Sequence, residues 1–155
     1  MPGPKRAPKR EDALRLGEFL CFAVYSANHA FNRVYKPLLD ELGLTYPQYL
    51  VMVLLWEQDD QTVGSLGEKL FLESSTLTPV LKRLEALGHV KRTRDPVDER
   101  QVRVRLTERG RALRQKARDV PGCILDASGL ELDELLRLQG EIVALRSALE
   151  RYHRE

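Results

Sequence analysis

Gly88 separates two apolar rhythms, and this change of period restricts the fold more than any other feature of the chain. Before it, apolar residues recur at three and four, the spacing of one helix face. After it, Val102, Val104 and Leu106 alternate with Arg103 and Arg105, the two-residue spacing of a strand. Val90 begins a partner strand, and the polar, proline-containing stretch Asp95 to Arg100 joins the two. The expectation is a mainly α fold with a small β-hairpin whose one face is rich in arginine.

The helices can be placed in order. A first is predicted from about Asp12 to Tyr35, with Leu16, Phe19, Leu20, Ala23, Ala27, Ala30, Phe31 and Val34 along one face. Pro37 is expected to kink or end it, since its ring clashes with the preceding turn. Thr45 is the expected N-cap of a second, which carries Pro47 in its first turn and the continuous apolar run Tyr49 to Trp56 of a buried core helix. Thr62 to Phe71 reads as a short third helix. A fourth begins at Ser74 or Ser75, runs to Leu87 and stops at Gly88, with Pro79 near enough its start to be tolerated.

Behind the hairpin, Thr107 caps a helix that extends to about Val120, where Pro121-Gly122 predicts a break or kink. Gly129 precedes a final helix striped by Leu132, Leu135, Leu138, Ile142, Leu145 and Leu149. So short a chain offers these terminal helices little partner surface unless they pack on the first helix or on a second subunit. A homodimer is the economical answer, and a self-contained helical cap is the alternative.

The formal net charge of +2 hides an asymmetry. Between Lys82 and Arg118 thirteen Lys or Arg stand against five Asp or Glu, so this window is net +8 and the remainder net −6. One basic side suits a polyanion. With 43% hydrophobic and 31% charged residues, no apolar run reaches membrane-spanning length, and Met1 to Arg10 has no hydrophobic segment of a secretion signal, so a soluble, cytoplasmic protein without membrane partners is expected. Cys21 and Cys123 are too distant and unpatterned for a disulfide framework, and the scattered His29, His89 and His153 resemble no zinc site. No metal or cofactor is expected. Each cysteine is then either a small buried hydrophobe or a redox group.

Three helices followed by a basic hairpin make the order of a winged helix-turn-helix, which reads double-stranded DNA with one helix in the major groove while its neighbours and the wing grip phosphates. The fourth helix offers Ser74, Ser75, Thr76 and Thr78 at its start, then Lys82 and Arg83. Leu77, Val80, Leu81 and Leu84 are core positions that hold this reader in place. In the wing, Arg100 suits a narrow minor groove and Asp98 would orient it through a charge-assisted hydrogen bond. Arg92, Arg94, Arg103 and Arg105 are candidate backbone clamps. The bland reading is that Ser74 merely caps its helix and the other polar groups are ordinary surface. The expected organisation is a flexible basic arm over 1–11, an N-terminal dimerisation and sensing helix region over 12–45, the winged helix-turn-helix domain over 46–110 and C-terminal dimerisation helices over 111–155. A dimer would prefer an inverted-repeat operator.

From Leu66 to Gly110, the motifs Leu77-Thr78-Pro79, Lys82-Arg83-Leu84-Glu85, Gly88, Asp98-Glu99-Arg100 and Leu106-Thr107-Glu108-Arg109-Gly110 resemble the MarR family of bacterial transcriptional regulators. Leu20-Cys21-Phe22-Ala23, Tyr25-Ser26-Ala27 and Leu44-Thr45-Tyr46-Pro47-Gln48-Tyr49 further resemble its organic-hydroperoxide sensing branch, the OhrR repressors. The resemblance implies a homodimeric repressor released from its operator when a sensing cysteine is oxidised by an organic hydroperoxide. Cys21 matches that cysteine, Tyr35 and Tyr46 match the two tyrosines that hydrogen-bond it, and Tyr25 matches a further tyrosine near the pocket. Phe22 and Leu20 would supply apolar walls for an alkyl peroxide.

Helical geometry gives the assignment an independent footing. At about 100° per residue Cys21, Tyr25, Asn28, Asn32 and Tyr35 fall within roughly 40° in projection, a stripe of sulfur, hydroxyl and amide groups. Cys21 and Tyr35 are nonetheless roughly 21 Å apart along one helix, too far to bond directly. A contact between them requires the partner subunit.

In two-cysteine members of the family the resolving cysteine stands just before the glycine that precedes the last helix, a position that is Asp126 in this chain. Cys123 lies three residues earlier. If a helix continues through both, Cys123 can share a face with that position and resolve the sulfenic acid as an intersubunit disulfide. If Pro121-Gly122 turns it away, a small-molecule thiol would do so. Two other functions compete: a repressor of the same fold released by a non-covalent apolar or phenolic ligand, and a thiol peroxidase, which would have no use for a basic hairpin.

Overall fold

The computed structural model describes residues 14–152. The expected basic arm over 1–11 lies outside them. The chain forms two compact units, Met1–Arg33 and Val34–Glu155.

In the first unit Leu16–Glu18 make a single 3₁₀ turn, closed by the Phe19 N–H donating to the Leu16 carbonyl at 3.1 Å. Helix α1 (Leu20–Leu42) follows directly. It was expected to start near Asp12. Gly17 disfavours helix, and Phe19 takes an extended conformation that separates the turn from the helix.

α1 also passes its expected end. Pro37 stands inside the helix rather than terminating it, and Leu39 and Leu42 beyond it are buried in the core of the second unit. That burial, about 1.5–3 kcal/mol for each leucine, offsets the roughly 3 kcal/mol cost of an internal proline. Termination comes instead at Gly43, whose φ of +68° lets the Leu44 N–H donate back to the Leu39 carbonyl at 3.1 Å.

α2 (Tyr46–Glu57) begins with a reciprocal cap: the Gln48 N–H donates to Thr45 Oγ1 at 3.4 Å, and the Thr45 N–H donates to Gln48 Oε1 at 3.0 Å. Its apolar run supplies the centre of the core through Val51, Met52 and Leu55. α3 (Val63–Leu70) is capped by Thr62, and α4 (Ser74–Ala86) inserts Leu77, Leu81 and Leu84 into the same core. Glu73, not a serine, is the N-cap of α4, and it makes no side-chain capping bond. Ser74 and Ser75 are therefore free of capping duty.

The hairpin forms as expected from β2 (Val90–Arg94) and β3 (Val102–Leu106), in antiparallel register with Val90 opposite Leu106 and Arg94 opposite Val102. A third strand was not foreseen. β1 (Gln61–Thr62) pairs with β3, giving the order β1-β3-β2 and tying the wing to the loop between α2 and α3. Two residues are too few for a period to be read from sequence.

α5 (Glu108–Ala117) starts at its Thr107 cap, and the Trp56 Nε1–H donates to the Gly110 carbonyl at 2.9 Å. Gly110 must be glycine, because a Cβ there would run into the His89 carbonyl. The expected break near Pro121 falls just before it: Asp119 is the N-cap of α6 (Val120–Ser128), and Pro121 occupies the first turn, where its missing N–H costs nothing. Gly129, at φ +69°, ends α6 before α7 (Leu132–Tyr152). Among the described residues no helix is long and apolar enough to cross a membrane.

Candidate functional site

The exposed start of α4 carries Ser74, Ser75 and Thr76, with Lys82 and Arg83 also in solvent two turns on. Thr78 behaves differently. It is half-buried, and its hydroxyl donates to the Ser74 carbonyl at 2.7 Å, so it is partly occupied within the helix. On the opposite face Leu77, Leu81 and Leu84 are buried and Val80 packs against the core, as their spacing predicts.

The wing is built on Asp95, which is buried. Its Oδ1 accepts from the backbone N–H groups of Val97 at 2.8 Å and Asp98 at 3.1 Å, and its Oδ2 accepts from Arg103 Nε at 2.7 Å. These bonds, the two backbone ones first, hold its carboxyl below the usual carboxylate range. Asp98 then accepts from Arg100 N–H at 3.1 Å and Nε at 3.3 Å, the orienting contact expected of it. Arg100 itself is 93% exposed at the side chain, so it is aimed without being spent.

The remaining arginines divide by what they touch. Arg92 is bound to Glu85 of α4, which accepts both its backbone N–H at 2.9 Å and its guanidinium at 3.2 Å. Arg103 joins Asp95 to Asp60, and Arg105 also reaches Asp60 at 3.0 Å. Asp59 accepts from the Leu106 N–H at 2.8 Å and faces Arg111 at 3.6 Å. Arg94 is exposed and has no ion-pair partner among the described residues. The wing thus presents Arg94 and Arg100 outward and uses Arg103 and Arg105 to lock β3 to the α2–α3 turn.

In the first unit Cys21 is an exposed free thiol on the first turn of α1, with Phe22 beside it also exposed. Tyr25 follows one turn later and meets His29 edge-on at 4.5 Å between ring centroids.

In the second unit Tyr35 and Tyr46, named together from sequence, stand 4.9 Å apart between centroids, and Tyr49 joins them at 5.9 Å from Tyr35. Burial, with lesser contributions from the other two phenols, pushes the Tyr35 hydroxyl up to about 12, so it stays protonated and able to donate. Cys123 is an exposed free thiol in α6, three residues before Asp126 in the same unbroken helix. One helix therefore runs through both positions. Nearby, a cavity of about 450 Å³ opens between Tyr49, Trp56, Arg114 and Arg118.

Comparison with known proteins decides the family. Residues 33–117 match the profile of the family described as Transcriptional regulator SarA/Rot. The chain is 49% identical over 140 residues to the HTH-type transcriptional regulator TtmR of Methylorubrum extorquens, covering 90% of this chain and 72% of that one. It is 45% identical over 138 residues to the organic hydroperoxide resistance transcriptional regulator of Bacillus subtilis, covering 89% and 94%. The chain belongs to the MarR family of winged helix-turn-helix transcriptional regulators. It falls in the family's organic-hydroperoxide branch, and as a transcriptional regulator it is not an enzyme.

Among solved structures, this MarR-family chain is similar to AbfR of Staphylococcus epidermidis. Reduced AbfR bound to DNA superimposes with a TM-score of 0.75 at 38% identity, covering 90% of this chain and 96% of AbfR. A disulfide-formed AbfR gives 0.59 at 37%, covering 94% and 97%. Sequence reading of the regulator missed Tyr49, Asp59, Asp60 and Asp95. Tyr49 was legible as part of an apolar run and of the stretch resembling the OhrR repressors, but with no role of its own. The three aspartates act through a loop and a two-residue strand that have no periodic signature.

Proposed function

We propose that this regulator is a homodimeric repressor that occupies an inverted-repeat operator until an organic hydroperoxide oxidises Cys21. Ser74, Ser75, Thr76 and Thr78 with Lys82 and Arg83 form the major-groove reader, and Arg94 and the Asp98-oriented Arg100 are the wing's contacts to the minor groove and backbone. Arg92 and Arg103 reach phosphate only at the cost of the Glu85, Asp95 and Asp60 contacts, so their contribution is chiefly to hold the wing. Residues 46–110 act as the DNA-reading domain. Residues 12–45 and 111–155 act as the dimerisation regions, which agrees with α7 having no buried residue and exposing Leu132, Leu138, Ile142 and Leu149.

In the sensing step the Cys21 thiolate attacks the distal peroxide oxygen, the O–O bond breaks, and the alkoxide takes a proton to leave as an alcohol. Sulfur remains as a sulfenic acid. Phenols from Tyr35 and Tyr46 of the partner subunit favour the thiolate, since the same subunit's Tyr35 is about 21 Å along the helix, while Tyr25 and Phe22 wall the approach. Cys123 of the partner then attacks the sulfenic sulfur, forming an S–S bond and releasing water. The observation that carries this reading is the unbroken α6 through Cys123 and Asp126, in a chain similar to one solved in reduced, DNA-bound and disulfide forms.

Intact-mass analysis of the dimer after mild organic hydroperoxide tests it. The expected product is a Cys21–Cys123 link that crosses subunits. Oxidation of Cys21 with no such link would assign resolution to a small-molecule thiol. A second reading, release by an aromatic or phenolic ligand, is favoured by the cavity between Tyr49, Trp56, Arg114 and Arg118, and predicts release without any change in mass.

A further inference from the structure

The turn that leads into the reading helix carries an unexplained side chain. Phe71 is the C-cap of α3 and takes a left-handed conformation, φ 57° and ψ 39°, at a position where glycine is strongly preferred. The residue is also 54% exposed, so the core does not account for it. A strained, solvent-facing aromatic directs attention to what its ring touches. What it touches is Arg146 of α7, whose guanidinium carbon lies 4.1 Å from the ring centroid.

The turn around Phe71 is stiff enough to transmit a displacement. The Leu72 N–H donates to the Gly67 carbonyl at 3.0 Å, and a Cβ on Gly67 would approach the Leu72 carbonyl to 2.8 Å, so α3 and the turn are in direct backbone contact. Two residues after Phe71 stands Glu73, the N-cap of α4, which offers no side-chain bond of its own to fix the helix start. At the other end, α7 follows α6 across Gly129, and α6 carries Cys123. Cation–π contact needs the cation over the ring face, so a lateral shift of α7 abolishes it.

We propose that Arg146 and Phe71 are positioning residues for DNA reading: their cation–π contact braces the start of α4 against α7, and displacement of α6 and α7 on Cys123 oxidation withdraws that brace. The part that concerns oxidation rests on the redox reading above. The bracing itself does not. Arg146 touches no DNA in this scheme and acts only through Phe71.

The test measures affinity of the full-length protein, reduced and peroxide-treated, for a duplex selected by the wild-type protein from a random pool. Arg146→Ala and Phe71→Leu are each expected to weaken reduced binding by about 2–5-fold, with the double variant no weaker than either alone. The ratio of oxidised to reduced dissociation constants should fall in both, since oxidation has less left to remove. Arg146→Lys, which keeps the cation, should recover most of the loss. The rate of Cys21 oxidation should not change, and the melting temperature should fall by no more than the few degrees that one exposed contact is worth. Additive losses in the double variant, or an oxidised-to-reduced ratio equal to wild type in Arg146→Ala, would overturn the proposal. If peroxide fails to release wild-type protein at all, the redox reading falls, and the double-variant comparison in the reduced state still decides the brace.

Discussion

Arginines of one short hairpin have been given unlike duties by single neighbouring carboxylates. Asp95 and Asp60 hold Arg103, while Arg94 one strand position from Asp95 has no partner among the described residues. Salt dependence separates the two. Arg94→Ala should reduce the slope of log affinity against log salt by about 1, as loss of one phosphate contact does. Arg103→Ala should lower affinity with the slope unchanged, because it loosens the wing without removing a counterion site. Titration of operator binding at several salt concentrations reads both.

Acid stability also belongs to individual residues. His89 is buried, its Nδ1 has no hydrogen-bond partner among the described residues, and burial followed by the charge of Arg109 pushes its pKa below the ordinary 6.5. The unfolded chain therefore takes up this proton first, and stability falls as pH drops below about 6.5. Asp95, Asp60 and Glu85 are held below the usual carboxylate range by hydrogen bonds, so their stabilisation is present above about 4 and is lost as pH falls through their folded values. Melting temperature against pH should show two descents. His89→Leu should erase the one nearer neutrality and leave the acid one.

At the scale of elements, α4 can serve as the proposed reader only because its opposite face is fixed. Leu77 is fully buried, against Gly67 of α3, and Leu77→Ala should cost about 2–5 kcal/mol in chemical denaturation at fixed protein concentration. Much of this level was legible in the sequence. Thr45 and Thr107 cap their helices, Gly88 ends α4, and the period-two alternation forms the hairpin. Local chemistry determines such features. The errors fell where distant packing wins: Pro37 lies within a helix because Leu39 and Leu42 are drawn into the core, and β1 exists because β3 pairs with it.

The charge asymmetry and the thiols concern the whole molecule. The reader and wing form a module that sequence alone could outline, because their motifs are contiguous. The Tyr35–Tyr46–Tyr49 cluster and the Arg146–Phe71 contact join residues from different helices, which no local pattern encodes. Cys21 and Cys123 are both exposed in the single chain, and in the proposed scheme a second copy supplies what each lacks. Oxidation that links them would re-space the two reading heads against successive major grooves. Operator binding by a Cys21→Ser variant during titration with an organic hydroperoxide tests this most directly. The account predicts that wild type leaves the operator and Cys21→Ser stays bound at every peroxide concentration. Release of Cys21→Ser over the same range as wild type would contradict it.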